Sequence, residues 1–224
     1  MEISNYDAIP LFPTNVFIAE VSSELCRQID VSKFPWIDEN ACPDNFLEKD
    51  RVGDYMEYVS KSYASVNHRI LEEYTDLRDE IECRFSEIAH SFFRYDNEFF
   101  ITTSWLTKIA PSGFSERHYH KNSFYSGVLY FDDYDEKDEG NIGFFSPVDT
   151  MHSFFINPYV VDNEYTAGSH WFKPKHGYMI LFPSYLQHRV SVYKGKENRY
   201  SLAFNIMPKG RFGIVDSTYD SNWI

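Results

Sequence analysis

The spacing of apolar positions changes near residue 95. From Ser62 to Phe93, Tyr63, Val66, Ile70, Tyr74, Leu77, Ile81, Phe85, Ile88 and Phe92 recur at three- and four-residue steps, the stripe of an amphipathic helix. Glu72, Glu73, Asp76, Asp79, Glu80 and Glu87 fall mostly off that stripe, so the pattern predicts a long helix with one face on a sheet. After Tyr95 the period falls to two, in FFITTSWLTKIA, SFYSGVLYFDD, IGFFSP, YMILFPS, HRVSVYKG and NRYSLAFNIM. Turn-forming PSG, DYDEKDEGN and YKGKEN separate these runs, as expected of short antiparallel strands. Pro10 to Val21, β-favouring and bounded by prolines, suits an edge or entry strand. Asp149 to Lys175 is aromatic and without clear period, which predicts a lid or binding loop. Strands following a helical region predict a mainly β fold with α: a double-stranded β-helix (jelly roll, cupin-like) buttressed by the helix. With no repeat and no linker, the chain reads as a single domain over 1–224. Its N-terminal strand and helical part occupy 1–95 and its jelly-roll core 96–210.

Composition narrows the class. The 224 residues are 43% apolar and 18% aromatic, too hydrophobic for intrinsic disorder and enough for a core without disulfide staples. Cys26, Cys42 and Cys83 are odd in number and lack CxxC spacing, so neither a disulfide framework nor a zinc finger is supported. Against 34 Asp and Glu stand 21 Lys and Arg, a net charge of −13, which disfavours nucleic-acid or anionic-membrane binding through phosphate contacts. MEISNYDAIP has no apolar leader and no run of 18 apolar residues follows, so no membrane partner and a soluble, cytoplasmic protein are expected. A homodimer is left open.

Histidine carries the chemistry. His118 and His120 stand at i and i+2 in RHYHKNS; on a strand both would face one side and could meet a divalent transition metal. Such a pair is also common among ordinary surface or core histidines. Farther on, His188 lies in FPSYLQHRV, and Arg199 and Ser201 again occupy i and i+2, in NRYSLAF. An inward arginine is costly to bury unless an anion meets it, and its planar fork suits a carboxylate. The strand SLAFNIM offers no acidic partner.

This combination resembles the Fe(II)- and 2-oxoglutarate-dependent dioxygenases, whose iron is held by an HxD or HxE pair and a distal His. It is closer to the 2OG-Fe(II) oxygenases of bacteria and of marine and T4-like phages, at LFPTNVF, at Trp105 followed by HYHKNSFYSGVLYF, at KPKHGYMILFPSYLQH and at RYSLAFN. These blocks are scattered over residues 11 to 206. The resemblance implies that His118 and His188 bind iron and that Arg199, assisted by Ser201, clamps the far carboxylate of 2-oxoglutarate. His120 stands where the wider superfamily has a carboxylate, and would be the third ligand. Glu116, Asp132 and Asp133 are its rivals. Three neutral imidazoles leave the metal its full charge of about +2, which a dianionic co-substrate would offset.

Asn122, by strand parity, and Tyr130 would add co-substrate contacts, and Asn205 would line the barrel. Trp105 and the aromatic stretch Met151 to Trp171 would form a dry wall or lid. His152, His170 and His176 have no assigned role. The implied reaction uses Fe(II), 2-oxoglutarate and O2 to hydroxylate a substrate, releasing succinate and CO2, in the cytoplasm or, for a phage protein, that of the host. Two other classes remain: a cupin-like three-His metalloenzyme that does not use 2-oxoglutarate, and a non-catalytic jelly-roll module.

Overall fold

The computed structural model describes residues 13–38, 60–147 and 168–221, and in it the period-two runs are strands. In chain order they are β1 (Phe17–Glu20), β2 (Trp36–Asp38), β3 (Ser62–Ser65), β4 (Phe99–Ile109), β5 (Tyr125–Tyr130), β6 (Ile142–Phe145), β7 (Ser169–Phe172), β8 (Tyr178–Pro183), β9 (His188–Val190), β10 (Arg199–Pro208), β11 (Gly210–Phe212) and β12 (Tyr219–Ser221). Seven form one sheet in the order β1-β8-β5-β10-β4-β3-β2, and β7-β6-β9 form a second. The described pairings are antiparallel, as a jelly roll requires. β1 is an edge strand of the larger sheet; Pro10, where its sequence signal begins, lies outside the described residues, as does Cys42.

Each face of the larger sheet has its own cover. Leu202, Phe204 and Ile206 of β10, Leu129 of β5 and Leu181 of β8 pack on one side with Leu77, Ile81 and Phe85 of the helix. Val128 and Tyr130 of β5 and Ile180 and Phe182 of β8 pack on the other with Ile142 and Phe144 of the smaller sheet. Alternation along a strand sends odd and even positions to opposite faces. In β5, β8 and β10 one parity therefore holds the helix and the other is free to build a site.

The helix is shorter than the stripe predicts. After the single turn α1 (Ser23–Cys26), the long helix α2 spans Thr75–Ile88 and continues as a π turn over Ala89–Phe93. Ser62–Ser65 is instead a strand between β2 and β4. The Ser65 hydroxyl donates to the Asn67 carbonyl (2.7 Å) and Asn67 Oδ1 accepts from the Arg69 amide (2.7 Å). This side-chain turn breaks helical continuity before Ile70. The π turn changes the phase of the stripe: Ala89 is buried and Phe92, placed on the stripe by sequence, is 57% exposed. A second difference lies in Asp149 to Lys175. Residues 148–167 are outside the described part, but Ser169–Phe172 is strand β7, paired with β6. Among the described residues no helix is long and apolar enough to cross a membrane.

Gly127 stands opposite Phe204 in the β5–β10 ladder. A Cβ there would lie 2.3 and 2.5 Å from Phe204 ring atoms and 3.0 Å from Leu181, so the ring can lie across the sheet only over a glycine. Gly127→Ala is expected to lower stability by about 1–3 kcal/mol through overpacking, read as a shift in the denaturant midpoint; an unchanged midpoint would show that the ring repacks freely.

Candidate metal centre

Arg199, Ser201, Ala203 and Asn205 of β10 face away from the helix and, with Trp105 of β4 and Tyr130 of β5, line a cavity of about 550 Å³ between the two sheets. Its floor is set by strand parity, and its histidines come from the segment before β5 and from the first residue of β9. RHYHKNS is not a strand. Only His118 makes a β-bridge, to His188, with the two residues exchanging amide-to-carbonyl bonds of 3.0 and 2.9 Å. The His120 amide donates to the Ser184 carbonyl at 2.9 Å. Pinned at these points, His118, His120 and His188 converge, with ligand atoms within 4.8 Å of one another.

Strand parity does not extend to Asn122. It takes a left-handed φ of 58° and lies in a separate groove beside Arg69, Thr102 and Met207, so the face it was expected to share with His118 and His120 does not exist. Among the described residues Glu116, Asp132 and Asp133 are not part of the cluster. Glu116 lines the same cavity, and Asp132 Oδ2 accepts from the Tyr200 amide at 3.1 Å. Trp105 is beside His120, ring centres 5.7 Å apart. Trp171 is not a wall of the cavity: it pairs with Gly143, where a Cβ would meet the indole at 2.6 Å, and Gly143 also pairs with Arg189, whose side chain points opposite to His188 by parity. His152 lies outside the described residues. His170 is exposed on β7 and His176 follows it, its buried ring nitrogens unpartnered among the described residues; neither joins the cluster.

Hydrogen bonds fix how the imidazoles present themselves. His118 Nδ1 meets the Glu116 carbonyl at 2.7 Å and His188 Nδ1 the Leu186 carbonyl at 2.9 Å. A carbonyl only accepts, so each Nδ1 carries the proton and each Nε2 keeps the lone pair a metal needs. His120 Nδ1 instead meets side chains, Asn205 Oδ1 at 2.8 Å and Ser126 Oγ at 2.9 Å. Sequence reasoning missed Ser126 and Ser184. Their signal was a hydroxyl at or just beyond the inward parity of an otherwise apolar strand.

Arg199 is 3% exposed. One Nη donates to the Gly140 carbonyl, while its buried Nε has no hydrogen-bond partner among the described residues. Tyr130, its ring centre 5.8 Å from the guanidinium, has its hydroxyl pushed up to about 12 by burial. Burial, with the charges of His118 and His120, pushes the His188 imidazole down to about 3; burial likewise lowers His120, against its hydrogen bond to Asn205 Oδ1.

The unfolded chain titrates His188 near its ordinary 6.5, so between about 6.5 and 3 it binds the proton that the folded, metal-free protein refuses. The stability contributed by neutral His188 is present above 6.5 and is lost as pH falls through this window, with a slope of about 1 kcal/mol per pH unit. Urea midpoints of metal-free protein between pH 7 and pH 5 should fall accordingly, and His188→Phe should flatten the slope; equal slopes would contradict it.

Residues 103–205 match the protein family described as "Putative 2OG-Fe(II) oxygenase". Among curated proteins nothing matches the chain. Among solved structures, HygX from Streptomyces hygroscopicus with nickel, 2-oxoglutarate and hygromycin B bound is similar at TM-score 0.55 and 8% identity, over 87% of this chain and 83% of that one, which supports the fold. A Pseudomonas putida prolyl-4-hydroxylase aligns at TM-score 0.48 and 17% identity, over 88% of this chain and 89% of its own. The segment that matches the 2OG-Fe(II) oxygenase family supplies the three histidines, Arg199 and the β10 face of the cavity.

Proposed function

We propose that the chain, acting as one domain over 1–224, is an Fe(II)- and 2-oxoglutarate-dependent hydroxylase. In this reading His118, His120 and His188 hold iron, and Arg199 with Ser201 holds the distal carboxylate of 2-oxoglutarate. The supporting observation is that one cavity brings together three imidazoles and a buried arginine whose Nε is unpartnered among the described residues. The donor set fits a divalent transition metal, and the orphaned Nε fits an anion.

Once bound, the metal and 2-oxoglutarate supply an oxidant from O2, with succinate and CO2 released and an oxygen atom passed to the substrate. The chain's residues do the rest. Neutral imidazoles leave the metal's charge uncancelled, and the positive charge of Arg199 meets an anion at the other end of the cavity. Trp105, beside His120, and Phe182, whose ring centre is 4.6 Å from His188, cover those two imidazoles with apolar surface. A three-His centre that does not use 2-oxoglutarate leaves Arg199 without a purpose, and a non-catalytic module leaves the convergence of the histidines unexplained.

Anaerobic addition of 2-oxoglutarate to the Fe(II)-loaded protein should produce a weak visible charge-transfer band, and air should then yield succinate. Arg199→Ala should weaken 2-oxoglutarate binding by about 2–5 kcal/mol, the cost of stranding one partner of a buried charge pair, and change iron affinity far less. Unaltered 2-oxoglutarate affinity would place the clamp elsewhere. His120→Ala should abolish stoichiometric Fe(II) binding and Glu116→Ala should not; the opposite result would make Glu116 the third ligand.

A further inference from the structure

Two of the three clustered histidines are oriented by main-chain carbonyls two residues earlier, Glu116 for His118 and Leu186 for His188, acceptors that no side-chain substitution removes. His120 is oriented by side chains. Asn205 Nδ2 donates to Thr103 Oγ1 at 3.0 Å, which turns Oδ1 toward the imidazole, 2.8 Å from Nδ1. Were Nδ1 unprotonated, its lone pair would face an oxygen that can only accept. The proton therefore sits on Nδ1, and Nε2 is the free nitrogen.

Buried hydroxyls support this arrangement. Ser123 donates to the Tyr125 carbonyl at 2.7 Å and accepts from Ser184 at 2.9 Å. Ser126 lies 2.8 Å from Ser184 and 2.7 Å from Asn205 Oδ1. Ser126 and Ser184 are 0% and 1% exposed. An apolar set of the same shape would hold the fold about as well, so the network's gain is direction rather than stability. That direction matters at this position in particular: a carboxylate ligand has no tautomers to select, and a histidine in its place has two.

We infer that Asn205 is a positioning residue for His120, fixing its tautomer and ring plane so that Nε2 is directed into the cluster. The inference rests on the reading of His120 as a metal ligand given above.

The test uses the full chain and Co(II) as probe, comparing wild type with Asn205→Leu, which loses the acceptor, and Asn205→Asp, which keeps it. Loss of an orienting partner typically costs 10–100-fold in metal affinity, so Asn205→Leu should bind Co(II) about 10–100-fold more weakly and Asn205→Asp should recover most of that loss. In ¹⁵N-histidine spectra of metal-free protein at pH 8, His120 should carry its proton on Nδ1 in wild type and shift toward Nε2 in Asn205→Leu. If Asn205→Leu does not fold, the wild-type tautomer still decides, since a proton on Nε2 overturns the inference. Wild-type affinity and tautomer in Asn205→Leu would also overturn it while leaving the three-His centre intact. Failure of the wild type to bind Co(II) would overturn the metal-site reading, and this inference with it.

Discussion

A strand covered on both faces must serve two environments with one alternating sequence, and β10 does this for the whole structure. Leu202, Phe204 and Ile206 are committed to the helix-side core, which frees Arg199, Ser201, Ala203 and Asn205 to face the cavity. A one-residue slip would exchange these sets and put a guanidinium and an amide into the aliphatic core. The register is held on both sides, by β4 through Arg199 opposite Ile109 and by β5 through Phe204 opposite Gly127. A register shift between Asn205 and Ile206 adds a residue to β4 just beyond the last cavity-facing position of β10.

The histidines depend on that sheet without belonging to it. His118 and His120 precede β5, His188 opens β9, and the reciprocal backbone bonds between His118 and His188 join the two segments across the mouth. Because the anchors are main-chain groups, the convergence of the histidines is set by backbone pairing. The cost is that His120 and His188 sit in apolar surroundings, beside Phe144, Phe182 and Trp105, where a proton on either is opposed by burial.

Much of this was legible in the sequence. Period-two runs marked β4, β5, β8 and β10, because strands with one committed face must alternate. Arg199 and Ser201 could be placed in one cavity by parity alone. Parity failed where there was no strand: the stretch from Arg117 to Ser123 owes its shape to hydrogen bonds with Ser184 and His188, distant contacts that no local pattern encodes, and Asn122 went to another groove for that reason. The helix start was misjudged because Tyr63 and Val66 continue a helical spacing by coincidence, while Tyr63 lies in strand β3 and Val66 follows its end. The Ser123, Ser126, Ser184 and Asn205 network was visible only as isolated polar residues, since its meaning depends on four segments meeting.

Gly140 bears on what the cavity will accept. Its φ of 71° and the 2.6 Å that would separate a Cβ from an Arg199 Nη let its carbonyl receive the guanidinium directly. A carboxylate at that place would have steadied the arginine equally well, but would have cancelled its charge. A neutral peptide oxygen steadies it without pairing away its charge, so discrimination at this end can rest on the sign of a ligand before its outline is tested.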